Sequence, residues 1–208
     1  MSRHSLLRYA QLLCLLAMSA AASAGLPPDQ LIKATSEEVL TVLRGDADIA
    51  AGNTSKVIDI VEAKVLPHFD FARMTRLALG KNWRNASEPQ RQSLTTAFRT
   101  LLVRTYAVAL AQFRDRNVDY QPLERAGNGP DVIVHTTVAT PQGKPINMDY
   151  RMGAVGADWK VYDVLVDGVS LVINYRGMFD STVEQKGIDG LVSLLEEKNT
   201  AARNGATP

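Results

Sequence analysis

Beyond its first 24 residues the chain has no cysteine, and of three histidines only His68 and His135 lie there. That scarcity excludes a disulfide framework and the Cys/His spacings of a zinc site. Charge of one sign is missing as well: 23 Lys and Arg face 22 Asp and Glu, a balance without the basic excess that a nucleic-acid surface needs. No phosphate loop is present, because no helix follows Gly153-Ala154-Val155-Gly156, which reads as a hairpin loop. Gly168-Val169-Ser170-Leu171-Val172 begins like a nucleophile elbow, yet Val172 stands where the last glycine belongs, and Ser170 reads as a helix N-cap. No cofactor or metal is expected from these residues.

The N-terminus is a different matter. Arg3 and Arg8 precede an apolar stretch from Leu12 to Ala22, and Ala22-Ser23-Ala24 comes before Gly25, the three parts of a cleaved secretory signal spanning 1–24. The apolar run is shorter than the roughly 20 residues of a membrane span. Cys14 follows Leu13, where an acylated cysteine would follow a small residue, so it belongs to the apolar region of the leader. Cleavage would leave a soluble product outside the inner membrane, in the periplasm. Residues 25–198 suffice for one domain with a core, and 199–208 read as a disordered tail.

Residues 27–114 carry helical periodicity. Pro27-Pro28-Asp29 opens a helix that Gly45 stops; a second runs from Thr54 or Ser55 to Leu66 before Pro67; a third covers Phe71 to Leu79 before Gly80. Ser87-Glu88-Pro89-Gln90 is a capping box. The helix it starts should reach about Arg114, roughly 39 Å at 1.5 Å per residue. Leu94, Phe98, Leu101, Leu102, Val108 and Ala109 make one stripe on it, and Val103, Tyr106, Leu110 and Phe113 a second. A helix apolar on two stripes is either sandwiched between protein layers or turns one stripe to a ligand cavity.

From Asn117 the period becomes two. Strands are expected at 118–123, 131–140, 146–152 and 159–166, joined by short turns as an antiparallel meander over 117–166. Val132, Val134, Thr136 and Val138 share a face with Met148, Tyr150 and Met152 and with Tyr162, Val164 and Val166, while His135, Asn147, Asp149, Arg151 and Asp163 occupy the other. One face should be buried and one wet. Helices follow over 170–197, the first with Leu171, Val172, Tyr175 and Phe179 on a face, giving an α+β fold.

Trp159 to Arg176, WKVYDVLVDGVSLVINYR, is the most specific run. With Leu66-Pro67-His68-Phe69-Asp70-Phe71, Leu79-Gly80-Lys81-Asn82-Trp83-Arg84, Arg104-Thr105-Tyr106 and Gly187-Ile188-Asp189-Gly190-Leu191, it closely resembles the MlaC family, soluble phospholipid shuttles of the maintenance-of-lipid-asymmetry pathway, also called the toluene-tolerance auxiliary family. The resemblance implies an NTF2-like, cone-shaped antiparallel sheet with an added helical part and an internal apolar cavity. It further implies a diacyl glycerophospholipid as cargo. Docking is implied in turn on an outer-membrane lipoprotein-porin complex and on an inner-membrane transporter through its membrane-anchored ring.

Candidate lipid contacts are then Phe98, Leu102, Tyr106, Leu110, Val134, Met148, Tyr150, Met152, Tyr162, Val164, Val166, Val172, Tyr175 and Phe179, with Arg84, Arg91 and Arg104 as head-group or partner contacts. Met148 and Met152 suit chains of differing length because a thioether side chain adapts its shape. A head group left at the mouth predicts weak discrimination among glycerophospholipids. The alternative is an NTF2-like isomerase or hydrolase acting on a small apolar substrate. It requires a buried carboxylate, and strand alternation sends Asp149, Asp163 and Asp167 to the wet face or beyond it. A third reading is an adaptor whose sheet face binds a protein.

Overall fold

The structure, a computed structural model, describes residues 25–125, 130–141 and 143–203; the expected leader, the glycine-rich turn at 126–129 and the last five residues of the expected tail lie outside them. Helix α1 (Pro28–Gly45) starts on a proline in its first turn and buries Ile32, Val39, Leu40 and Leu43. Asp46 caps the four-residue α2 (Ala47–Ala50), and Asn53 caps α3 (Thr54–Ile60). The segment expected as helix to Leu66 instead widens into a π turn at Val61–Val65 and tightens into a 3-10 turn at Leu66–His68. Pro67 contributes to this, since it offers no N–H to continue the α-helical bonding, while Leu66 before it keeps helical backbone at φ -62° and ψ -29°. Asp70 caps α4 (Phe71–Leu79), which ends at Gly80 with φ 54°, a conformation suited to glycine.

Helix α5 (Glu88–Gln112) begins at the capping box: the Ser87 hydroxyl accepts from the Gln90 amide N–H, and the Gln90 side chain accepts from the Ser87 N–H at 2.9 Å. Ser87→Ala should therefore cost about 1 kcal/mol, read as a lower midpoint in urea at unchanged slope. The two stripes of α5 are both covered by protein. Leu94, Ala97, Phe98, Leu101 and Leu102 pack with Met74, Leu79, Val172, Phe179, Leu191 and Leu195, whereas Val103 and Ala107 pack with Val39, Leu43, Ile49, Val57 and Val61.

The sheet is antiparallel. Strands β1 (Val118–Tyr120) and β2 (Glu124–Arg125) both pair with β3 (Val132–Val138), followed in order by β4 (Ile146–Val155), β5 (Asp158–Val166) and the short β6 (Val169–Ser170). Gly153 to Val155, expected as loop, are strand, and the hairpin turns on two residues with Gly156 at φ 63°. Gly153 has a steric reason to lack a side chain: a Cβ there would collide with the Arg73 guanidinium.

Between Arg151 and Met152 the pairing with β5 slips: Arg151 faces Asp163, but Met152 faces Val161. Tyr162 is the extra residue of this bulge. Val161 consequently takes the inner-face position expected of Tyr162. The Tyr162 ring instead stacks 3.5 Å from the Arg73 guanidinium carbon, and its hydroxyl donates to Asp131 at 3.1 Å.

The chain closes with α6 (Leu171–Asn174), capped by Ser170, and α7 (Arg176–Arg203), bent where Gly187 has φ 71°. Residues 199–203, expected to open a disordered tail, are helix. Asn199 lies four residues beyond Leu195 on the face turned to α5, is buried, and donates to the Ala97 carbonyl at 2.9 Å.

Candidate functional site

Side chains of three adjacent strands form rows across the inner face of the sheet. Val134, Tyr150 and Val164 stand in one register, Thr136, Met148 and Val166 in the next, and Val132, Met152 and Val161 in a third. Leu31 and Ile32 of α1 lie over these rows, with Phe69, Trp159, Leu171 and Tyr120 around them. The one buried polar side chain in the rows is satisfied, because the Thr136 hydroxyl donates to the Met148 carbonyl at 2.9 Å. Burial pushes the Tyr150 phenol up to about 12, so it stays a neutral donor in this layer.

Between α1 and β1 lies a cleft of about 540 Å³ lined by Leu40, Thr41, Arg44, Arg116, Val118 and Tyr120 among others, Tyr120 being shared with the apolar layer. A second, of about 400 Å³, lies between the α2–α3 turn and the end of α5. The arrangement is amphipathic: an apolar layer one side chain deep, and beside it a cleft lined by charged, polar and apolar groups.

The residues expected to surround one cavity fall into several places. Val134, Met148, Tyr150, Met152, Val164 and Val166 share the inner face. Phe98, Leu102, Tyr106, Val172, Tyr175 and Phe179 belong to the helical core, where Phe98 packs edge-on against Tyr175 and Phe179 with centroids 5.0 and 5.1 Å apart. Burial, then the neighbouring Tyr106, pushes Tyr175 up to about 12. Leu110 packs with the α1–α3 cluster. Tyr162 is on the opposite face, as described.

Arg91 is held by the Trp83 carbonyl, to which Nε and Nη2 donate at 3.2 and 3.1 Å, Arg84 is exposed, Arg104 is half-buried, and none of the three lines either cleft. Beside the expected residues, the apolar layer includes Leu31 and Ile32 of the first helix, and Val161, whose inward turn depends on the bulge.

The expectation that strand alternation leaves no buried carboxylate is also corrected. Asp163 is 1 % exposed. It sits under the start of α6, accepting from the Ser170 hydroxyl at 2.7 Å and the Val172 N–H at 3.3 Å, with Arg151 at 3.5 Å. Its oxygens are therefore occupied in joining sheet to helix, on the face away from the apolar layer. Asp131 is likewise engaged: two Arg73 nitrogens at 2.5 and 3.2 Å and the Tyr162 hydroxyl hold its carboxyl below the usual range. Among the described residues no cluster of His, Cys, Asp or Glu is placed to hold a metal ion.

On the wet face His135 bridges two carboxylates, Asp149 at 2.8 Å and Glu124 at 3.0 Å, tying β2 and β4 to β3. Burial lowers its pKa, but the two hydrogen-bonded carboxylates outweigh this and raise it above 6.5. The stabilisation is complete below that ordinary value and is lost as pH rises through the raised one. The melting-temperature difference between wild type and His135→Gln should accordingly be largest in mildly acidic buffer and shrink as the pH climbs past neutrality. A difference constant with pH would refute the charged bridge.

The comparisons with known proteins agree with this architecture. The phospholipid-binding protein from Ralstonia solanacearum, solved in complex with a phospholipid, superposes with a TM-score of 0.76 at 36 % identity, over 84 % of this chain and 98 % of that one. Toluene tolerance protein ttg2D of Pseudomonas putida is 23 % identical over 96 % of both chains. The intermembrane phospholipid transport system binding protein MlaC of Haemophilus influenzae is 23 % identical over 66 % of each. The model of the family described as MlaC protein matches residues 33–197, and the chain belongs to that family.

Proposed function

We propose that this protein is a periplasmic carrier of glycerophospholipid, exported by a cleaved signal, which holds acyl chains between α1 and the inner sheet face. The observation that carries the reading is the likeness over nearly the whole length of the Ralstonia protein, whose solved form contains a phospholipid. The apolar rows under α1 supply matching chemistry.

The energetic need is large. A diacyl lipid has on the order of 28 methylenes at about 0.8 kcal/mol each, so passage through water faces a gross penalty of about 22 kcal/mol. An apolar layer substitutes for the bilayer, which leaves loading and unloading close to thermoneutral. Direction then comes from the membrane complexes it visits: an outer-membrane lipoprotein-porin complex and an inner-membrane transporter with a membrane-anchored ring. Family membership supports these partners, and the carrier would thereby maintain outer-membrane lipid asymmetry.

Vesicle transfer tests this directly. Mature protein added between donor vesicles carrying fluorescent phosphatidylethanolamine and unlabelled acceptors should remove label from the donors in proportion to protein. No removal, from protein that is folded by circular dichroism, would refute the carrier role.

A further inference from the structure

The cleft between α1 and β1 brings two arginines, Arg44 and Arg116, beside Leu40, Val118 and Tyr120. Arg44 lies at the end of α1 and reaches across to the end of α5, where Nε donates to the Arg114 carbonyl at 2.7 Å and Nη2 to the Arg116 carbonyl at 3.3 Å. Those bonds fix the guanidinium in place while leaving Nη1 without a partner among the described residues. Arg116 lines the same cleft and has no carboxylate within 4.0 Å among the described residues, although Glu37 and Asp119 also line it. Of these, Glu37 is 4.0 Å from the Lys33 ammonium.

Tyr120 lines the same cleft, and its buried hydroxyl lies beside Ser36 without a hydrogen bond of good geometry among the described residues, so an arriving acceptor would improve on the contact it has. Burial pushes its pKa up, which keeps the proton on the oxygen. The Tyr120 ring belongs to the apolar layer with Val134, Met148 and Tyr150, and Leu40 and Val118 line the cleft beside it.

Cations, a neutral donor and hydrocarbon side by side match the phosphate, ester and acyl chain of a glycerophospholipid. We propose that this cleft holds the phosphodiester on Arg44 and Arg116 and an ester carbonyl on the Tyr120 hydroxyl, with the acyl chains passing beneath α1. Recognition stops at the phosphate, so the alcohol beyond it is not selected. Arg84, Arg91 and Arg104 take no part. The assignment rests on the carrier reading and gives it a polar anchor.

The test compares uptake of phosphatidylglycerol and of diacylglycerol with the same acyl chains, each offered to the mature protein in phosphatidylcholine-free vesicles. Wild type should favour the phospholipid, and Arg116→Gln combined with Arg44→Gln should reduce that preference by about tenfold, the scale of a charge-assisted hydrogen bond, with diacylglycerol uptake unchanged. Should the double variant fold poorly, Arg116→Gln alone decides, since its side chain has no hydrogen-bond or ion-pair partner among the described residues; a severalfold loss is expected, and an unchanged preference at unchanged melting temperature overturns the proposal.

Inorganic phosphate provides the second arm. If it perturbs the Arg116 resonances of wild type while the variants keep the full lipid preference, the cleft is a free-anion site and the proposal is wrong. Wild type that takes up diacylglycerol and phospholipid equally overturns the anchor but leaves the carrier reading standing. Wild type that takes up neither lipid overturns both.

Discussion

Phe98→Ala is expected to lower the unfolding free energy by about 3–5 kcal/mol while the fraction that remains folded keeps its capacity for phospholipid. Phe98 is fully buried and meets Tyr175 and Phe179 edge-to-face, an arrangement worth more than its area alone. The alanine would leave a void between α5 and α7 that neither helix can close, because Leu94, Leu101, Leu191 and Leu195 already hold them together at fixed separation. For a domain of this size the melting temperature should fall by roughly 6–20 °C. Thermal melts and lipid content measured on the same preparation separate the two effects. If lipid were lost at a temperature where the variant is still folded, the helical core would itself line the ligand site.

Met148→Lys is expected to do the converse. Met148 is half-buried in the middle strand of the inner face, opposite Thr136 and Val166, so a lysine there has room to turn its ammonium toward water in the lipid-free protein. With acyl chains beside it that escape is blocked, and an ammonium in hydrocarbon costs about 3 kcal/mol, equivalent to a roughly hundredfold weaker hold on lipid. Met148→Leu keeps the volume and should keep the lipid. Phosphorus content per protein after purification reads both outcomes; a Met148→Lys protein that retains a full complement of phospholipid would place the chains elsewhere.

These two substitutions also mark where the sequence was readable. Helices α1, α4 and α5 and the strands of the meander follow from punctuation and period: Pro28, Gly80, the Ser87 capping box, and alternation through 132–138 and 146–152. What periodicity cannot state is which surface covers an apolar stripe. Phe98 and Phe179 therefore looked as fit for a ligand as Val134 and Met152, although the first pair is sealed by helices and the second by α1 and the sheet.

The register slip at Tyr162 was hidden for a related reason. One residue added to a strand leaves composition unchanged, yet it turns Tyr162 to Arg73 and Asp131 and brings Val161 inward. Asp163 became buried only because the start of α6 folds back onto it. Asn199 was more accessible to reasoning, since its spacing from Leu191 and Leu195 continues one helical face past the point where polar composition suggested disorder. Arg44 and Arg116, 72 positions apart, meet through tertiary structure alone.

Native mass spectrometry of the mature protein, purified from a periplasmic extract without detergent and followed by identification of whatever is released, tests the carrier reading most directly. A bound mass equal to that of a diacyl glycerophospholipid, with head groups in proportion to their abundance in the envelope, is the predicted result. A protein that flies without lipid, and remains so after incubation with liposomes, would contradict it.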